Sequence, residues 1–481
     1  MCECIFDKLH EECGVFGIFN KGDFDDVIEE SYYALYALQH RGQESCGIAV
    51  NDDGVIDVHK NVGLVHEVFT KEVLDLMPRG KMALGHCRYA TSENKNSGNA
   101  QPLLVRHIKG NMAIAYNGSL TNSRELREEF ELTGAIFQSA SDTEVVAHEI
   151  TRERLVSNSI QAAVVAAMGR LTGAYSLVIM SPRKLIAARD PRGFRPLCMG
   201  RKGESVVFAS ESCALDAMGA VCERELEPGE VVVVTDDGVQ SIKTHCGGKS
   251  SFCVFEFIYF ARPDSVINGT SVHEARKRAG ALLAKSHPVD ADVVIGVPDS
   301  GLDAAVGYSE KSGIPFEIGF LKNKYIGRTF IAPSQKQRET DVRIKLNPIS
   351  STIEGKRVVL VDDSIVRGTT CLKTIKMIRE AGAKEIHFRL SSPPFKYPCY
   401  FGTDISSSEF LIAYKYSLEE IRKMLGVDSL GFLSVEDLQK LSGDASWGMC
   451  NGCFTGEYPI KPPERCGKSR FETRLSENTA D

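Results

Sequence analysis

The spacing of apolar positions changes about halfway along the chain. In the first half they fall in short runs: Gly14–Phe19, 47–50, 55–60, 112–116, 174–180, Lys184–Arg189, 206–209 and 230–234 read as strands. Asn51-Asp52-Asp53-Gly54 between two of these runs is a hairpin signal, and Asp236-Asp237-Gly238 is another turn. A helical repeat appears at 26–39, 144–156 and 160–169. Strand clusters interrupted by helix pairs predict antiparallel sheets with helices segregated outside them.

From about residue 254 the pattern alternates. A buried-strand run at 292–297 is followed by Pro298-Asp299-Ser300-Gly301 and a helix-like stretch to Lys311, and 316–321 is again strand-like. The apolar run 357–361 ends in Asp362-Asp363. After the loop 364–368, a helix from about Thr370 to Gly382 carries Leu372, Ile375 and Ile378 on one stripe, and 386–390 is the next strand. Strand, loop, helix and strand in repetition predict a parallel, doubly wound sheet. The change of pattern falls near 240–255, and the tail after Pro459 is polar with Pro462-Pro463, which predicts irregular structure.

Length and composition fit this division. The 481 residues suffice for two or three domains, each with its own core. The 57 basic and 64 acidic residues leave a formal charge of −7, which supplies no global attraction for nucleic acid. No apolar run of the roughly 18 residues needed to span a membrane occurs. The 15 cysteines are an odd number in a long chain, a poor fit to a disulfide-stapled secreted module. Residues 1–12 carry neither a basic leader nor a signal-peptide-length apolar stretch. A reducing compartment, the cytoplasm, is expected.

Ligands of open parallel sheets bind beyond the carboxyl ends of the strands. The strand at 358–361 delivers Asp362 and Asp363 to that edge. Ser364-Ile365-Val366-Arg367-Gly368-Thr369-Thr370 then offers backbone amides, hydroxyls, a guanidinium and a helix start, which together suit a phosphate. Adjacent carboxylates suit ribose hydroxyls or a hydrated Mg²⁺, although an isolated Asp-Asp after a strand also occurs as a solvated turn. The run VVLVDDSIVRGTT resembles the phosphoribosylpyrophosphate (PRPP) motif of type I phosphoribosyltransferases. The resemblance implies that Asp362 and Asp363 face ribose and metal. It puts Arg367, Gly368, Thr369 and Thr370 around the 5′-phosphate and Ser300 near the diphosphate and Mg²⁺, and counts Asp299 and Ser364 among the PRPP-binding residues. The basic, polar segment 322–345 reads either as an exposed connector or as a lid over the diphosphate, and its length favours the lid.

A lone cysteine before a strand is ordinarily a small buried hydrophobe. Cys13 has company: Cys13-Gly14-Val15-Phe16-Gly17, His40-Arg41-Gly42-Gln43-Glu44, His86-Cys87-Arg88-Tyr89-Ala90-Thr91, Asn117-Gly118 and Ser141-Asp142-Thr143-Glu144 follow in order. Together they resemble class II glutamine amidotransferase domains, N-terminal-nucleophile hydrolases with an αββα sandwich. In that family a leader is removed and the cysteine becomes the first residue. A freed α-amino group, with a pKa of about 7.7–8.0, then serves as base to its own thiol. The resemblance assigns Arg88 to the glutamine α-carboxylate and Asp142 to its α-ammonium, with Asn117 and the Gly118 amide forming an oxyanion hole. Tyr116 stands where family members often carry histidine.

Cys450-Asn451-Gly452-Cys453 is by itself compatible with redox, zinc or iron–sulfur chemistry. Its context, with those of Cys253 and Cys399, resembles the iron–sulfur subclass of the glutamine PRPP amidotransferase family, in which four such cysteines bind [4Fe–4S]. That subclass also carries a short propeptide, as at residues 1–12 here. The implied plan is a propeptide at 1–12, a glutamine amidotransferase type-2 domain at 13–245, a phosphoribosyltransferase domain with the cluster ligands at 246–460, and a polar tail at 461–481. The implied activity is amidophosphoribosyl transfer: PRPP, L-glutamine and water give 5-phosphoribosylamine, L-glutamate and diphosphate, with Mg²⁺ and one cluster per subunit. The resemblance also implies purine nucleotide inhibition, a homotetramer, and no nucleic acid or membrane partner. Two rivals are another amidotransferase, such as a hexose-phosphate aminating enzyme, and a regulatory protein that binds PRPP without reacting. The PRPP loop argues against the first, and Cys13, Arg88 and Asp142 against the second.

Overall fold

A computed structural model describes residues 13–22, 26–89, 97–323, 346–403, 405, 407–443 and 447–463. The expected propeptide, nearly all of the expected lid (324–345) and the tail from 464 lie outside the described residues.

In the first half two antiparallel sheets stack face to face. One has seven strands, in the order Val221–Glu225, Cys198–Lys202, Ser205–Ala209, Gly14–Phe19, Met82–Arg88, Ser45–Asp52 and Val55–Val62. The other has six, in the order Gly238–Ile242, Val231–Thr235, Lys184–Arg189, Gly173–Ser181, Met112–Leu120 and Leu103–Val105. Strand residues alternate between faces, so each sheet has an inner and an outer apolar surface. Val15, Phe19, Leu84, Ala115, Val178 and Phe208 meet between the sheets. Phe16, Ile18 and Val207 face outward onto helices Val27–Ala37 and Ser212–Ala217. Ile114, Leu177 and Ile179 face outward on the other side, onto Asp142–Val156 and Ile160–Met168. The predicted αββα layering is present. Helix Val27–Ala37 starts where Asp26 accepts the Ile28 amide at 3.0 Å, and Asp142–Val156 starts where Ser141 accepts the Thr143 amide at 3.2 Å.

The second half holds a parallel sheet in the order Val293–Gly296, Arg357–Asp362, Glu385–Leu390 and Ser429–Phe432. Residues 358–361 are fully buried on both faces, which is why they form an unbroken apolar run. The expected strand at 316–321 survives as a single parallel bridge from Phe316 to Val294. Beyond the bridge the chain leaves the sheet, and Phe320–Lys322 pairs antiparallel with Leu346–Pro348. Counting the bridge, the strand order reverses between Val293–Gly296 and Arg357–Asp362, so the crevice of a doubly wound fold opens at the ends of those two strands. Helix Thr369–Glu380 packs with Cys371, Thr374, Ile375 and Ile378 buried, whereas Leu372 is 38% exposed. The core stripe follows the i, i+3, i+4, i+7 rule from Cys371, and Leu372 lies about 100° around the helix from it.

Candidate active sites

Inward-facing positions of the sandwich converge on one end. Cys13 precedes the Gly14–Phe19 strand and shares the parity of Val15, which points between the sheets. Its sulfhydryl lies 3.8 Å from the Tyr89 carbonyl, and its own carbonyl accepts from Arg41 Nε at 3.1 Å. Arg88 ends the neighbouring strand on the same inner face as Leu84, and its carbonyl accepts the Glu44 amide at 3.1 Å. From the opposite sheet, Met112–Leu120 contributes Asn117, on the inner face shared by Ala113 and Ala115. Asn117 is 0% exposed, and neither its Nδ2 nor its Oδ1 has a hydrogen-bond partner. A buried, unanswered amide costs free energy unless something else completes it. Gly118 has φ 147°, and a Cβ there would stand 2.0 Å from the Ala174 carbonyl oxygen, so its amide is presented by glycine alone.

Asp142 opens helix Asp142–Val156 and accepts the Leu120 amide at 2.8 Å and the Ser123 hydroxyl at 2.5 Å. Burial pushes its carboxyl pKa up against the pull of those hydrogen bonds and of the Arg127 charge, and an ammonium bound beside it would favour the carboxylate further. The buried Tyr116 phenol has its pKa pushed far up, by burial first and then by Asp142 and Cys13, which sets both within electrostatic reach of it. His86 spans the sheets to the Tyr116 carbonyl at 3.0 Å, and burial pushes its pKa down to about 3, so it is neutral. The arrangement can hold an amino acid by both charged ends against a thiol and an oxyanion hole. Replacing Asn117 with alanine is expected to lower glutamine-dependent kcat by about 10²–10³ while leaving the glutamine KM nearly unchanged, as measured by steady-state kinetics.

The second site lies at the parallel-sheet crevice. Asp362 and Asp363, 1% and 3% exposed, end the Arg357–Asp362 strand and start the loop beyond it. Ser300, on the neighbouring loop, donates to Asp363 Oδ1 at 2.6 Å, and Ser364 donates to Asp363 Oδ2. Gly301 makes this contact possible, because a Cβ there would stand 2.4 Å from the Val361 carbonyl oxygen. Asp299 pairs with Lys322, the last residue of the strand Phe320–Lys322 and the first of the segment 322–345 expected to form the lid. Gly368 caps helix Thr369–Glu380, placing Thr369 and Thr370 in its first turn, and the Arg367 guanidinium stacks 4.8 Å over the Phe410 ring. Hard carboxylate and hydroxyl oxygens from Ser300, Asp362 and Asp363 suit Mg²⁺, which takes few protein ligands.

Four cysteines from three distant segments lie near one another beside the sandwich. Cys253 and Cys450 are register partners on the two-residue parallel strands Phe252–Cys253 and Met449–Cys450. Cys453 lies in the turn Gly452–Thr455, and its carbonyl accepts the Lys396 and Tyr397 amides at 3.1 Å each. Cys399 Sγ accepts the Phe401 amide at 3.5 Å. Burial pushes the Cys450 thiol up to about 12 and those of Cys253 and Cys453 further, and the charge of Cys399 acts on all three. Phe194, Phe401, Tyr458 and Ile460 pack around Cys399 and Cys450. Among the described residues no three His, Cys, Asp or Glu side chains converge closely enough for a single metal ion. An iron–sulfur cluster takes one thiolate per iron, so the donor set fits a cluster without convergence on one point.

Reading the sequence missed the charged residues that join these sites. Arg195, Glu211 and Glu256 are completely buried and meet Arg41 in one network. The available signal was the turn Asp190-Pro191-Arg192-Gly193, in which Asp190 accepts the Arg192 and Phe194 amides at 2.8 and 3.0 Å.

Known proteins agree with both halves. The glutamine amidotransferase domain family matches residues 86–217, and the phosphoribosyl transferase domain family matches residues 270–391. The amidophosphoribosyltransferase of Bacillus subtilis is 48% identical over 94% of this chain and 95% of its own length. That of Methanocaldococcus jannaschii is 48% identical over 93% and 98%. The solved structure of glutamine PRPP amidotransferase from B. subtilis, complexed with ADP and GMP, superposes with a TM-score of 0.88 at 47% identity, covering 95% of this chain and 99% of that one. With both domain families in this order and near-half identity over nearly the whole length, the chain belongs to the amidophosphoribosyltransferases, enzymes of purine biosynthesis.

Proposed function

We propose that the mature enzyme begins at Cys13 and joins a cysteine glutaminase to a PRPP site within one chain. The α-amine of Cys13 takes the thiol proton, the sulfur attacks the glutamine amide, and Asn117 with the Gly118 amide holds the oxyanion. Arg88 and Asp142 bind the amino-acid end. The protonated α-amine returns the proton to the leaving nitrogen, so ammonia departs as the glutamyl thioester forms. Water then hydrolyses the thioester to glutamate and the free thiol. The ammonia passes to C1 of PRPP, whose 5′-phosphate is held by Arg367, Gly368, Thr369 and Thr370, with Ser364 also on PRPP. Ser300, Asp362 and Asp363 would hold Mg²⁺ beside the diphosphate, with Asp299 close by, and the ion when bound offsets charge on the departing diphosphate. Cys253, Cys399, Cys450 and Cys453 would hold a [4Fe–4S] cluster that ties three distant segments together. Purine nucleotides as inhibitors, a homotetramer and a cytoplasmic location complete the proposal. The B. subtilis relative was solved with ADP and GMP, and no helix among the described residues is long and apolar enough to cross a membrane.

The carrying observation is the buried Asn117 amide, unanswered on the inner face of the sheet opposite the one that Cys13 precedes. Intact mass and iron analysis of the purified enzyme test the proposal together. The expected result is a chain lacking residues 1–12 and a brown protein with about four irons per chain. A fully active chain that retains Met1 overturns the catalytic base, and a colourless, zinc-loaded protein overturns the cluster.

A further inference from the structure

Four buried charges lie behind the nucleophile. The Arg41 guanidinium, whose Nε donates to the Cys13 carbonyl at 3.1 Å, meets Glu211 Oε1 through Nη1 at 2.5 Å. It also meets Glu256 in a fork, Nη1 to Oε2 at 2.9 Å and Nη2 to Oε1 at 2.8 Å. Arg195 closes the group: Nη1 donates to Glu256 Oε1 at 3.2 Å and Nη2 to the Phe401 carbonyl at 2.6 Å. All four side chains are 0% exposed. Two positive and two negative charges cancel, which is how such groups tolerate burial. Glu211 also accepts from His40, from the Arg262 amide and from the Ser265 hydroxyl.

The quartet spans both halves. Arg41, Arg195 and Glu211 come from the sandwich, while Glu256 opens the turn Glu256–Phe260 that leads into the second half. That turn is held by Arg276, which donates to the carbonyls of Phe257, Tyr259 and Ala261 at 2.8, 3.0 and 2.7 Å. The Arg276 guanidinium in turn lies 3.8 Å from Asp303, in the helix that follows the Ser300 loop. The position of Glu256 is therefore set by the second half, and through Arg41 it fixes the backbone of the residue carrying the nucleophile.

We infer that Glu256 is a positioning residue of the glutaminase, contributed across the junction and acting through Arg41 on Cys13, so that the glutamine site is complete only with the second half in place. The inference rests on Cys13 being the nucleophile. Misplacing a reacting group by about an ångström costs on the order of 10²-fold in rate, which is the scale at issue. Among the described residues the Glu256 carboxylate pairs with Arg41 and Arg195, neither of which is assigned to glutamine or PRPP, so binding of both substrates is expected to survive its replacement.

The test is the ratio of glutamine-dependent to ammonia-dependent 5-phosphoribosylamine formation in the full-length enzyme. Glu256→Gln keeps the shape and removes the charge that fixes Arg41. The expected result is a fall of roughly 10²-fold in glutamine-dependent kcat, with the glutamine KM and the ammonia-dependent rate near those of the parent. Glu256→Asp, which restores the charge at shorter reach, is expected to recover part of the loss. An unchanged ratio in both variants, an equal loss of both activities, or failure of both variants to yield soluble protein overturns the inference in favour of a purely structural ion pair. Cys13→Ala measured in parallel separates the two ideas: if it keeps glutamine-dependent activity, the nucleophile assignment fails first.

Discussion

Replacing Cys13 with alanine is expected to abolish glutamine-dependent diphosphate release and to leave ammonia-dependent release within about twofold of the parent. Cys13 lies at the inward-facing end of the sandwich, and the loops proposed to bind PRPP lie at the crevice between Val293–Gly296 and Arg357–Asp362 in the other half. Removing one sulfur deletes the thioester route and touches nothing that binds PRPP. No neighbouring thiol takes over readily. Burial pushes the Cys87 pKa far up, and Cys46 up to about 12, so both stay protonated and unreactive near neutrality. Coupled detection of diphosphate with either nitrogen donor measures both rates. Equal loss of the two would show that Cys13 supports the whole fold rather than one reaction.

Asp363→Asn is expected to give the opposite pattern, a loss on the order of 10³ in kcat/KM for PRPP with either nitrogen source. Both Asp363 oxygens act as acceptors, one from Ser300 at 2.6 Å and the other from Ser364. An amide nitrogen cannot accept, so one serine hydroxyl loses its acceptor and must turn to accept from the new N–H, which trades a charge-assisted hydrogen bond for a neutral one. The larger effect is the loss of negative charge at the place where a cation and ribose hydroxyls are expected. The two rates should fall by the same factor, because both pass through the same electrophile. A fall confined to the glutamine-dependent rate would remove Asp363 from the PRPP site. Taken with the Cys13 and Glu256 variants, the ratio of the two activities assigns each residue to glutamine chemistry, to PRPP chemistry or to the link between them.

Much of the architecture was legible in local patterns. The short apolar runs at 14–19, 174–180 and 184–189, and the Asn51–Gly54 turn, act within a few residues of themselves, and the observed strands and hairpin follow them closely. The strand, carboxylate pair and helix start at 357–380 were legible for the same reason, being contiguous. Helix Val272–Ser286 was not recognised, because its buried face mixes Val272, Ala275, Ala279 and Leu283 with Arg276, whose charge is answered only by distant carbonyls and Asp303. The strand Ser429–Phe432 is four residues long and is recruited to the sheet edge by Glu385–Leu390, with no signal of its own. Of the expected stripe Ile375 and Ile378 are buried, and only Leu372 turns outward, because spacings of three drift around a helix and Cys371 and Thr374 take the inner positions.

The sequence alone determined that a cysteine, an arginine, an Asn-Gly pair and an aspartate occur in amidotransferase order ahead of a phosphate-binding loop. Such chemistry is written into short contiguous motifs, each recognisable without its neighbours. Tertiary structure decided what those motifs face. Antiparallel stacking turned Cys13 and Asn117 toward each other's side of the sandwich, and folding of the second half brought Glu256 against Arg41 and Cys450 beside Cys253. Buried ion pairs and thiol clusters leave no periodic trace in a chain. Their partners are hundreds of residues apart in places, and only the exclusion of water forces them to find one another.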